Sequence, residues 1–209
     1  MIYNGIIIFG EMGSGKDTLA DMIIEEDLRF KKYGLGDIIR LIKKVTLVDP
    51  TWFGDERTFM QTAADKLREI DRDILNHFAL AKMLEENLED VHLTKEAYQS
   101  DLKAHFQKML NEQHVIPMIV GGRTWEDYEY WTGRGFLAIG LLLDPERSRK
   151  RLIARDGKET ATRSDSTHNT EKDVREIIKK CELIVDNNGS LDDLKLEVER
   201  VIRYFFRKK

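Results

Sequence analysis

The sequence predicts an α/β fold: a parallel sheet of about five strands flanked by helices. Three observations lead there. Apolar runs of strand length, rich in isoleucine and valine, recur along the 209 residues. Stretches of helical periodicity separate them, and strands joined through helices pair in parallel. The first run also passes through a glycine-rich turn straight into a helical pattern.

The elements follow in order. Residues 3–9 are continuously apolar, as in a strand covered on both faces. A loop over 10–15 precedes a helix marked by Leu19, Met22, Ile23 and Leu28. Residues 30–35 read as a short strand and 37–45 as a helix. A polar connection over 49–58 leads into a long helical region. There Phe59, Ala63, Leu67, Ile70, Ile74, Phe78 and Ala81 step by three and four, the mark of one buried stripe. Residues 92–112 continue helical and polar. A β-branched strand over 115–120 closes on Gly121-Gly122, and 125–131 reads as a helix. Residues 136–143 form a strand, 146–155 a basic helix, and 157–170 a polar loop. Helix 173–180, strand 183–185, a turn over 186–190 and helix 191–206 complete the chain. The expected organisation is one domain over 1–209, with a helical insert at about 50–113 and a lid at about 156–170.

Composition narrows the function. Hydrophobic residues make up 41% and charged residues 34%, enough for a core and for much exposed helix. Lys plus Arg number 34 and Asp plus Glu 38, a formal net charge of −4. That balance gives no global drive toward nucleic acid or a membrane surface. The lone cysteine, Cys181, can form neither an internal disulfide nor a multi-cysteine metal site. No leader pattern and no run of about 20 apolar residues is present, so the expected location is the cytoplasm. His77, His92, His105, His114 and His168 lack zinc spacing and read as surface residues.

Gly10, Gly15 and Lys16 satisfy the G-x-x-x-x-G-K part of the Walker A pattern, with Glu11, Met12, Gly13 and Ser14 between. Glycines let the backbone curl so that successive N–H groups point at phosphate oxygens. The following helix adds the positive end of its dipole, and Lys16 supplies a point charge for the β and γ phosphates. The bland alternative is an ordinary glycine turn ahead of a helix. The usual Ser/Thr after the lysine gives its hydroxyl to Mg2+, but here Asp17-Thr18 follows. A carboxylate also suits that hard cation, directly or through water. Asp17 is therefore the metal-ligand candidate, with Thr18 as the weaker one. Asp17 also reads as a plain acid in a first helical turn.

The segment Gly13 to Thr18, GSGKDT, resembles the loop of phage-type deoxynucleoside monophosphate kinases. Residues 57–75, with Gln61, Arg68 and an Ile-Asp-x-Asp-Ile run, resemble that family's helical segment. Gly36-Asp37-Ile38-Ile39-Arg40 is similar to the Gly-Asp-x-x-Arg of adenylate kinases. Residues 185–194 are similar to the C-terminal segment of dephospho-coenzyme A kinases. The resemblance implies a P-loop NTPase fold, ATP and Mg2+ as cofactors, and a small phosphorylated acceptor, most simply a nucleotide. It places Asn188 and Gly189 beside the ATP base. Relatives carry an aspartate at the end of the third strand, where this chain has Gly121-Gly122-Arg123.

Phosphoryl transfer asks for position and positive charge, and arginine offers phosphate a planar pair of donors. Arg40 and Arg68 are candidates for the acceptor's phosphate, with surface ion pairs as the alternative reading. Gln61 joins them through the resemblance. Arg123 follows a strand, at the sheet edge where ligands bind. Arg151 and Arg155 share one helix face and lead into the polar loop with Arg163; closure there would bring an arginine onto the transferring group. Asp37 is a candidate base or acceptor-orienting acid, or else a helix N-cap. The functional expectation is an ATP-dependent phosphotransferase acting on a nucleoside or deoxynucleoside monophosphate. The alternatives are another small-molecule kinase, of dephospho-coenzyme A type for example, and an ATP-binding module that turns over slowly or not at all.

Overall fold

The computed structural model describes residues 3–87, 105–106, 108–156 and 169–207. In chain order the elements are β1 (Gly5–Gly10), α1 (Lys16–Glu26), β2 (Phe30–Gly34), α2 (Asp37–Thr46), a 3-10 turn (Pro50–Phe53), α3 (Glu56–Ile70) and α4 (Ile74–Asn87). A π-type turn (Met109–Gln113) precedes β3 (Ile116–Gly122), α5 (Trp125–Thr132), β4 (Phe136–Leu142) and α6 (Pro145–Asp156). Then come α7 (Asn169–Lys180), β5 (Leu183–Asp186) and α8 (Leu191–Phe206). The chain divides into two compact units, Met1–Lys32 with Ile116–Lys209, and Tyr33–Val115.

The first unit is built on the sheet, whose strand order is β2-β3-β1-β4-β5. β1 runs parallel to β3, with Ile6 opposite Met118, and parallel to β4, with Ile7 opposite Ala138. β4 runs parallel to β5. Every residue of β1 is buried, which explains its unbroken apolarity. The strand after α1 lies on one side of β1 and β4–β5 on the other. Connections leaving β1 and β4 therefore diverge, and such a switch point opens a crevice at the strands' carboxyl ends. Leu194, Val198, Val201 and Phe205 step by four and three along the buried face of α8. Leu191 and Leu196, which the sequence placed in the same apolar set, point outward.

Gly121-Gly122 does end β3, as the last two residues of the strand itself. Gly121 takes a φ of 90°, and the register with β1 slips between Ile8 and Phe9. A side chain at Gly122 would stand 2.7 Å from the Phe9 ring. The pair forms a bulge that seats this phenylalanine.

In the second unit the predicted long stripe is two helices. α3 ends at Ile70, and Asp71 takes an extended backbone as its C-cap. The Asp71 carboxylate then accepts the amide of Asp73 at 2.9 Å, a local bond that competes with helix continuation. The break resets the helical phase. Ile70 is 77% exposed, and the buried face of α4 runs through Leu75, Ala79, Leu80, Met83 and Leu84 instead of Ile74, Phe78 and Ala81. The N-cap of α2 is Gly36, so Asp37 is the first helical residue, and the N-cap alternative for it is excluded. Most of the stretch predicted over 92–112 lies outside the described residues. Among the described residues no helix is long and apolar enough to cross a membrane.

Candidate functional site

In the first unit the loop from Gly10 to Gly15 leaves the carboxyl end of β1 and caps α1. Gly13 and Gly15 have φ of 74° and 92°, values that L side chains resist. Space forbids side chains there as well. A Cβ on Gly13 would meet the Ser148 hydroxyl at 2.9 Å, and one on Gly15 the Asn187 amide nitrogen at 2.6 Å. The loop is thus cradled by α6 and by the turn after β5.

Specific bonds hold that cradle. Ser148 Oγ donates to the Met12 carbonyl. Asn187, 4% exposed, donates through Nδ2 to the Ser14 carbonyl at 2.7 Å. The Lys16 ammonium donates to the carbonyls of Gly10 at 2.7 Å and Glu11 at 3.0 Å, which draws its charge back over the loop. Ser14 is 1% exposed, and its buried hydroxyl has no hydrogen-bond partner. An orphaned buried hydroxyl inside a curled, glycine-lined loop fits a site shaped for an oxygen-rich ligand.

The predicted cations reach this loop in part. Arg151 sits against it: its Nη1 would be 3.5 Å from a Cβ on Gly15, and its Nη2 makes a long 3.5 Å contact with the Asn187 carbonyl. Arg147 donates to the Asn188 carbonyl. The backbone of Arg155 lies in the last turn of α6, while Arg163 and nearly all of the predicted lid lie outside the described residues. The Asn188 side chain accepts the Asp144 amide at 2.7 Å and donates to Asp186 at 2.6 Å, so it braces the turn. A Cβ on Gly189 would collide with Asp193 of the α8 capping box at 2.5 Å.

Asp17 projects from the first turn of α1 with its side chain 80% exposed, 3.9 Å from the Lys32 ammonium. Thr18 is exposed too. Among the described residues no group of three or more His, Cys, Asp or Glu forms a metal cluster. Arg123 follows β3, half-buried, and its amide donates to Asp127 Oδ2 at 2.9 Å. Asp127 is 0% exposed and closes the α5 capping box with Thr124. The acid nearest the end of β3 is thus committed to a helix cap. Cys181 is buried, which pushes its thiol up to about 12, so it is no nucleophile near neutral pH.

In the second unit Asp37 is a hub. Its carboxylate accepts Arg40 at 3.0 Å, Lys82 at 3.0 Å and the Gly34 amide at 3.3 Å. A Cβ on Gly34 would lie 2.6 Å from this carboxylate, so only glycine lets it come so close. Arg40 remains 64% exposed and open to an anion. Gln61 and Arg68, both half-buried, are seven residues apart on α3 and share a face.

Sequence reasoning missed Asn187, Ser148, Lys82 and Arg175. Arg175 of α7 pairs with Glu11 of the loop. None had a local signal: the Arg175–Glu11 and Asn187–Ser14 contacts join residues 164 and 173 positions apart.

No family model matches the chain. A stretch of 75 residues, 36% of the chain, is 31% identical to the uncharacterized protein T05G5.5 of Caenorhabditis elegans, and the match spans 30% of that protein's length. Dephospho-CoA kinase from Campylobacter jejuni superposes with a TM-score of 0.51 at 18% identity, over 97% of this chain and 96% of that one. Shikimate kinase from Acinetobacter baumannii, in complex with shikimate, gives 0.50 at 12% identity, over 96% and 92%. The expected specific kinship with phage-type deoxynucleotide kinases is not among these likenesses. What they establish is the architecture: the chain shares its α/β fold, built on a five-stranded parallel sheet, with these two proteins.

Proposed function

We propose that the protein is an ATP-dependent phosphotransferase acting on a small phosphorylated acceptor, most simply a nucleoside or deoxynucleoside monophosphate. The observation that carries this reading is the glycine loop on β1, with Lys16 folded over it and Arg151 beside it. The fold shared with two small-molecule kinases supports it.

The amides of Gly10–Gly15 and Thr18 with its neighbours in the first turn of α1 hold the triphosphate, and Asn188 and Gly189 border the base. An acceptor oxygen attacks the γ phosphorus, the bond to the β–γ bridging oxygen breaks, and ADP departs. Lys16, Arg151 and Arg155 meet charge as it develops, where fixed cations count most. Mg2+, when bound at Asp17, neutralises phosphate charge. The candidates for holding the acceptor are Arg123 in the first unit and, in the second, Arg40, Gln61 and Arg68, where Asp37 fixes Arg40 and Lys82.

The Gly121-Gly122-Arg123 sequence at the end of β3, without an acid, favours a second reading as a slow or non-catalytic ATP-binding module. One assay separates the two. ADP release is followed with ATP, Mg2+ and a panel of ribo- and deoxynucleoside monophosphates, dephospho-CoA and shikimate. The proposal expects turnover that depends on a monophosphate and falls at least about 100-fold in Lys16→Ala. Turnover with dephospho-CoA or shikimate alone moves the acceptor class. No acceptor-dependent turnover with any of them sinks the phosphotransferase.

A further inference from the structure

The loop that is to bind a polyanion carries two acids of its own, Glu11 and Asp17, against one lysine. Each acid is met by a cation from another element. Lys32 of β2 stands 3.9 Å from Asp17, and Arg175 of α7 donates through Nε to Glu11 Oε1. Glu11 is the more deeply placed of the two, its side chain 23% exposed against 80% for Asp17. It is also locked at its backbone, because its carbonyl accepts from Lys16 Nζ at 3.0 Å and from the Ser14 amide at 3.1 Å. These bonds fix the Glu11 backbone within the loop, and its carboxylate pairs with Arg175.

We propose that Arg175 is a positioning residue of the triphosphate site: it neutralises Glu11, so that the loop can present net positive charge to the phosphates. This rests on the phosphotransferase reading above. α7 is rigidly based for the task, since Val174, Ile177 and Ile178 on either side of Arg175 are buried. Compensation of this kind acts on ground-state and transition-state phosphate alike, so its signature lies in affinity more than in kcat.

The test measures ATP–Mg2+ affinity by calorimetry on the full chain, together with KM and kcat for the best acceptor of the panel. Arg175→Gln leaves the loop acid uncompensated. It should weaken ATP affinity about 5- to 20-fold and raise KM for ATP alike, with kcat changed less than about threefold. Adding Glu11→Gln removes the repulsion and should restore affinity to within about threefold of the parent. Glu11→Gln alone removes the loop's own acid, so ATP should bind at least as tightly as to the parent, up to about fivefold tighter. That arm holds even where Arg175→Gln folds poorly, which thermal melts report. Unchanged affinity in Arg175→Gln, failure of Glu11→Gln to restore it, or weaker binding in Glu11→Gln alone each overturns the proposal. Lys16→Ala, run in parallel, reports on the wider reading: if that variant binds ATP like the parent, the donor site itself is misplaced, whereas its loss beside an unaffected Arg175→Gln removes only the role of Arg175.

Discussion

Gly15 and Lys16 are adjacent and serve opposite needs. Gly15 must have no side chain, because its φ is 92° and Asn187 fills the space a Cβ would take. Lys16 must have a long one, to fold back over Gly10 and Glu11. Gly15→Ala adds strain in the left-handed region, about 1–2 kcal/mol, and displaces the Asn187 bond to Ser14. The expected loss is about 2–3 kcal/mol in urea unfolding, together with weaker ATP binding. A variant as stable as the parent would show that the cradle yields. This short-range chemistry was legible in the sequence, because loop geometry depends on residues that are neighbours in the chain. The partners were not. Lys82 reaches Asp37 across 45 positions, and a lone lysine on a helical pattern carries no mark of what it faces.

At the scale of elements, apolar patterning located elements well where burial is unbroken, as in β1, or keeps to one face, as in α8. It failed where a polar residue decides an element's end. The Asp71 side chain stops α3 by bonding its own backbone two residues on, and the apolar spacing carried straight across that break. α5 shows the converse, an element begun by polar residues. Thr124 accepts the Asp127 amide at 3.3 Å, while Asp127 accepts the amides of Arg123 and Thr124 at 2.9 and 3.2 Å. Asp127→Ala removes this cap and leaves two amides at the end of β3 without their acceptor. A lost cap costs about 1 kcal/mol and each orphaned buried amide about 1–3. We expect a destabilisation of about 3 kcal/mol in chemical denaturation, roughly halved in Asp127→Asn, which keeps one oxygen acceptor. Because the Arg123 amide hangs on this carboxylate, Asp127→Ala should also lower turnover if Arg123 serves the acceptor. Equal unfolding midpoints for parent and alanine variant would refute the capping account.

For the molecule as a whole, the sequence revealed parallel pairing but not the order β2-β3-β1-β4-β5, since which strand lies beside which is settled by contacts distant in the chain. The two ends of the first unit meet through such contacts. Glu182 Oε1 accepts the hydroxyls of Tyr3 and Tyr204 and the Arg207 guanidinium, and the Tyr3 and Tyr204 rings stack with centroids 6.4 Å apart. Burial, helped by the bond to Glu182, pushes the Tyr3 hydroxyl up from 10.0 to about 12, and burial alone pushes the neighbouring Cys181 thiol from 9.0 to about 12. Both groups are held neutral in the folded chain and ionise more readily once it unfolds. Their contribution to stability is therefore complete below the unfolded values and disappears as pH climbs through the folded ones. Unfolding free energy, followed by circular dichroism in urea, should accordingly stay level up to about pH 9 and then fall toward pH 12. Cys181→Ala removes the earlier of the two ionisations, so its decline should begin near pH 10, where the unfolded tyrosine starts to lose its proton. Tyr3→Phe should leave the onset near pH 9 and make the descent above pH 10 shallower. A profile that stays flat through pH 11 in the parent protein would contradict the burial of both groups, and with it the packing that joins the two ends of this unit.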